Sequence, residues 1–172
     1  MPLFTSLLLF FIALALISFT LRNTSARQAR QRKDQNERRM AIGAQICEAS
    51  ARDAFGVELD HSVESIVLLD SVIIRGWGDT PDIPDKRMTD SGTLDFIFSA
   101  YLGDVFVRNE KAVWQWQNNE AFLYFQNLRR TAMPFELIKR KLSDPNQVNL
   151  ANETALWLNS LTPNDGDGIS RS

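Results

Sequence analysis

The chain has 172 residues, 19 basic against 21 acidic for a formal net charge of −2, with one cysteine and one histidine. A lone thiol cannot build an intramolecular disulfide framework, and one Cys beside one His excludes a zinc site of the usual composition. No metal and no cofactor is expected.

Leu3 to Leu21 read LFTSLLLFFIALALISFTL, without a charge. At 1.5 Å rise per residue this stretch covers about 28 Å, close to the thickness of a bilayer's hydrocarbon core. Residues 1–21 therefore read as a transmembrane anchor. The rival reading is a cleaved signal peptide, which wants a positive leading region, a shorter apolar core and a small-x-small cleavage site. Here only the amino terminus precedes the run, and Ser25 and Ala26 lie among arginines.

Residues 22–39 form a basic juxtamembrane linker with seven basic and two acidic residues, while the N-terminal flank has no Lys or Arg. Positive-inside logic predicts a single-pass inner-membrane protein, N-terminus out and C-terminal domain in the cytoplasm. Arg22, Arg27, Arg30, Arg32 and Lys33 suit anionic headgroups, at about 1 kcal/mol per nearby cation, which would make membrane lipids a partner. A plain topology signal accounts for the same residues. Beyond Arg39 the balance turns acidic, twelve basic residues against nineteen acidic. Such a domain lacks the electrostatic footprint of a nucleic-acid binder.

The linker is either flexible or a helix continuing from the membrane. Residues 40–161 read as one α+β domain, mostly helical with an antiparallel β-hairpin. Met40, Ala44, Cys47, Ala51 and Phe55 recur three or four apart, with Glu48 and Arg52 paired on another face and Gly56 as the stop. Cys47 falls on the apolar stripe and reads as core. A second helix over SVESIVLLDSVI takes Asp60 or Ser62 as its cap. Asp70 within it is either the polar edge or a buried carboxylate bonded to a loop or an arginine. Residues 75–92 break every periodicity and read as a long loop holding Trp77 between two glycines.

A third helix, TLDFIFSAYLGDVFVRN, is the most apolar of the domain. Gly103 inside it costs about 1 kcal/mol relative to alanine, so it predicts a close approach by another element. Alternation at Ala112–Trp116 and the aromatic run at Ala121–Phe125 predict the hairpin, closed by Arg129-Arg130. Pro134 opens a helix over Phe135–Leu142, with Lys139, Arg140 and Lys141 complementing the dipole at its C-terminus. A last helix spans Asn149–Leu161, and residues 162–172 read as a disordered tail.

The run Phe98-Ser-Ala-Tyr101-Leu102-Gly103-Asp104-Val105, then Trp114, then Pro134-Phe135 with Lys139-Arg140, resembles a recurrent bacterial domain of unknown function. In that family a G-A-Y-L-G-E-V helix precedes a Trp-containing strand pair and a K-R helix. Ser99 stands at the usual glycine and Asp104 at the usual glutamate. The resemblance implies a fold and a bacterial origin, and it directs attention to Tyr101, Asp104 and Trp114. Asp104 would pair with Arg108 or Arg140, as a packing motif or as a site.

The function expected is a membrane-anchored protein whose domain binds or scaffolds another membrane or cytoplasmic protein through Trp77, Trp116 and the aromatic and arginine side chains that interfaces favour. The alternative is a membrane-bound hydrolase or transferase using Asp104 with Tyr101 or His61. No complete catalytic set is legible.

Overall fold

The computed structural model describes residues 2–77, 91–118 and 120–159, with side chains described for 27–77, 92–118 and 120–158. Its elements run α1 (Pro2–Phe55), α2 (Ser65–Trp77), α3 (Ser91–Asn109), β1 (Ala112–Gln117), β2 (Glu120–Phe125), β3 (Arg130–Ala132), α4 (Pro134–Ser143) and α5 (Leu150–Asn159). The chain divides into two units, Met1–Arg39 and Met40–Ser172. In the first, the backbone of α1 is helical, and the side chains of residues 27–35 are all exposed, with Lys33 paired to Glu37 at 3.7 Å. The linker is therefore helical rather than flexible.

The transmembrane helix, the single-pass membrane topology and the inner-membrane location expected from the sequence are corrected here. Among the described residues, no helix is long and apolar enough to cross a membrane. The reason is charge: the part of α1 with described side chains, from Arg27 to Phe55, is interrupted by Arg, Lys, Asp and Glu throughout its length. The side chains of the apolar run at 3–21, and that of Arg22, lie outside the described residues. So does most of the predicted loop, residues 78–90, and the predicted tail at 162–172.

The second unit is α+β. Met40, Ala44, Cys47 and Ala51 bury the expected face of α1, and burial pushes the Cys47 thiol far above its ordinary range. Gly56 ends the helix in the left-handed region (φ 65°), its N–H bonding back to the Arg52 carbonyl at 2.9 Å. Small residues let α1 cross α3 closely. A Cβ on Gly43 would sit 2.8 Å from the Ala100 methyl and from the Phe96 ring.

Ser62 caps α2, its hydroxyl accepting from the Ser65 N–H at 3.1 Å, while Asp60 accepts from the Ser62 N–H at 2.9 Å. The helix then runs past the predicted end and takes in Arg75, Gly76 and Trp77. Arg75 explains the extension: its guanidinium donates to the Phe55 carbonyl at 3.2 Å and lies 5.0 Å from that ring's centre.

The expected hairpin is formed by β1 and β2, and a third strand extends it to a three-stranded antiparallel meander in the order β1-β2-β3. Trp114 pairs with Leu123, and Leu123 with Ala132. The third strand was illegible because three residues, two of them exposed, cannot display an alternating pattern. One sheet face (Ala112, Trp114, Leu123, Phe125, Ala132) joins the core. Gly103 has the role its cost foretold, since a Cβ there would fall 1.9 Å from the Trp114 ring.

Candidate functional site

His61 is the centre of the most heavily bonded polar cluster. It sits in the connection between α1 and α2 with φ 60°, a conformation that costs a non-glycine residue about 1–2 kcal/mol. Four contacts hold it there. The backbone N–H donates to the Tyr101 hydroxyl at 3.0 Å, and the carbonyl accepts from the Asn109 amide at 2.7 Å. On the ring, Nε2 lies 2.6 Å from Glu48 Oε1 of α1, and Nδ1 lies 2.9 Å from Asp104 Oδ2 of α3. The Nδ1 contact is not an aligned hydrogen bond, because that buried nitrogen has no partner of acceptable geometry. Arg108 shares the same Asp104 oxygen at 2.7 Å.

The bonds around Tyr101 have a fixed direction. Ser65 Oγ donates to the Ser62 carbonyl at 2.6 Å, which spends its only proton. Tyr101 must then donate to Ser65 Oγ, 2.7 Å away, while accepting from His61 N–H. A phenol in that position has to stay protonated. Burial raises its pKa above the ordinary 10.0, against the opposing pull of the His61 N–H donated to its oxygen.

Chemically, the cluster has half of an acid–base apparatus. Asp104 beside His61 resembles a carboxylate orienting an imidazole. The other ring nitrogen, however, faces Glu48 and not a nucleophile, and Ser65 is bonded to Tyr101. Neither nitrogen is left to take a proton from a substrate. What the arrangement can do is fasten the 56–64 connection to α1 and α3.

A second cluster is closed to solvent. Lys141, in the last turn of α4 as the sequence placed it, is wholly buried. Its ammonium lies 2.9 Å from Asp70 Oδ1 and donates to the carbonyls of Pro145 and Val148. The same Asp70 oxygen accepts the Leu150 N–H at 2.9 Å, at the start of α5. Asp70 is thus the buried carboxylate of the sharper expectation, with a lysine where an arginine was named.

The other sequence-chosen residues do not converge. Tyr101 and Asp104 meet only through His61. Arg140 pairs with Glu153 at 2.9 Å and not with Asp104. Trp77 is half-buried, edge-on to Phe98 at 5.4 Å, and Trp114 is buried, 6.4 Å from the half-buried Trp116. Both Trp77 and Trp116 are partly buried and pack against the core. Arg27, Arg30, Arg32 and Lys33 are exposed on α1. Glu48 turns to His61, and Arg52 lies 3.7 Å from Asp53, in place of the Glu48–Arg52 pair. Among the described residues no group of three or more His, Cys, Asp or Glu could hold a metal ion.

Sequence reasoning passed over Glu48, Ser65 and Asn109, whose partners lie 13 to 48 positions away along the chain. The one usable signal was the lone histidine next to an acidic residue, in a short connection leading into a capped helix. No family model, no curated protein and no solved structure matches this chain.

Proposed function

We propose that the unit from Met40 onward is a protein-binding module. The observation that carries this reading is the second apolar face of α1. While Met40, Ala44, Cys47 and Ala51 fill the core, Ile42 and Ile46, one turn apart, are 54% and 45% exposed. Below Ile46 the same side of the helix lines a shallow hollow of about 390 Å³ with Ala49, Ser50, Asp53 and Ala54. A helix that buries one apolar face and exposes another has surface to offer a partner. Val67 and Leu68 of α2, 56% and 42% exposed, add further apolar surface. The polar clusters favour no enzymatic reading, since Tyr101 is engaged by Ser65 and His61, and Asp104 by Arg108 and His61.

The test is crosslinking and retention of partners by the full chain, compared with an Ile42→Asp/Ile46→Asp variant. The variant should keep its circular dichroism and melting temperature and lose the proteins retained by the original. Equal retention by both would end the reading.

A further inference from the structure

The sheet has a second face that the core does not use. Gln115, Gln117, Glu120 and Thr131 point away from the buried residues of their strands and are exposed, and Phe122 is half-buried among them. Asn118, held at φ 51° in the turn after β1, and Met133, 42% exposed, complete a concave pocket. Its volume is about 370 Å³, and its walls are Gln117, Asn118, Glu120, Phe122, Thr131 and Met133.

Each wall group limits what fits. Among the described residues Glu120 is the one charged side chain lining the pocket, so an anion is disfavoured and a cation is attracted. The amide oxygens of Gln117 and Asn118 and the Thr131 hydroxyl add acceptors around that carboxylate, matching the three donors of an ammonium. Phe122 brings an aromatic ring and Met133 a polarizable side chain to the wall, chemistry suited to a cation and its alkyl stem. Two neighbouring charges bear on this. Lys139 senses Glu120, but its own ion pair is with Glu136 at 3.1 Å, and that contact dominates the rise in its pKa. Glu136 also occupies the first turn of α4, beyond Met133, where it offsets the positive helix end. Glu120 therefore makes no ion pair of its own among the described residues.

We infer that this pocket receives the ammonium group of a lysine side chain on the bound partner, with Glu120 as counter-charge and Phe122 and Met133 against the stem. The inference rests on the protein-binding reading and gives that partner a basic contact apart from the apolar face of α1.

The experiment follows backbone amide shifts of the isotopically labelled full chain. Three probes are used: acetyl-Ala-Lys-Ala-amide, the same peptide with norleucine for lysine, and n-butylammonium. The lysine peptide should move the amides of Gln117, Asn118, Phe122 and Thr131, and the norleucine peptide should not. Glu120→Gln should weaken the lysine peptide about fivefold, and Phe122→Leu should weaken it while keeping the apolar volume. Equal response to norleucine, no response to any probe, or indifference to Glu120→Gln would each overturn the inference. n-Butylammonium, which carries the same ammonium and stem, should move the same amides, and binding of it far tighter than the peptide would overturn the partner's lysine as the source. The Ile42→Asp/Ile46→Asp variant separates the two proposals: it should lose partners and still bind the lysine peptide.

Discussion

Two ion clusters in this molecule use similar groups to opposite ends. Around Lys141, one cation meets one carboxylate and two carbonyls, so all three ammonium protons are used and solvent is excluded. Around His61, two carboxylates flank one imidazole, Arg108 binds the Asp104 carboxylate, and Glu48 and Arg108 stay 30% and 58% exposed. The first ties α2, α4 and the start of α5 together where water cannot substitute for a lost partner. The second fastens a connection at the surface, where water can. Burial, more than the number of charges, sets what each cluster contributes.

The largest effect is expected at Lys141. Lys141→Met leaves the Asp70 carboxylate buried without its counter-charge and should cost about 3–5 kcal/mol in urea unfolding. Adding Asp70→Leu should recover part of that loss, because the stranded charge is gone. A single-variant loss below about 1 kcal/mol would erase the contrast between the clusters.

Next comes Gly103→Ala, which drives a methyl into the Trp114 ring and should cost about 1–3 kcal/mol, with a shift in tryptophan emission. It damages the core without touching either cluster, and so calibrates packing against charge.

Tyr101→Phe should cost about 1–3 kcal/mol, since His61 N–H loses its acceptor and Ser65 Oγ its donor. The same tyrosine gives the His61 region a pH signature. Its folded pKa lies above the unfolded value of 10.0, so its contribution is complete below about pH 10 and is lost as pH rises through the folded value. Melting temperature should therefore fall above about pH 10, and less steeply in Tyr101→Phe. An unchanged alkaline slope would remove Tyr101 as the cause.

The smallest effect is expected at the open end of the His61 cluster. Glu48→Gln should cost at most about 1 kcal/mol and lose most of that difference in high salt. A salt-independent loss as large as that of Lys141→Met would mean the two clusters do not differ in kind.

Much of the fold was legible where the signal is local. Gly56 stops α1, Ser62 caps α2 and Pro134 opens α4, each because the residue's own backbone or side chain decides the outcome within four positions. Gly103 announced a close approach, though not its partner. The site was legible only in fragments. Asp104, Tyr101 and His61 were each picked out, yet nothing local shows that His61, 40 or more positions away, joins the other two. The burial of Lys141 had no local signal, because its ammonium is satisfied by loop carbonyls from Pro145 and Val148 and by the distant Asp70.

By itself, then, the sequence determined the helices of the domain, the first two strands and the inward face of α1, since periodicity and capping act over a few residues. It did not determine which charges would be buried, or that the apolar run at 3–21 should be read as a membrane anchor. Only the tertiary structure decided that Asp70 meets Lys141, that His61 bridges α1 and α3, and that a third strand turns an acidic pocket outward. Those outcomes depend on groups distant along the chain arriving within 3 Å of one another, a distance that no local pattern encodes.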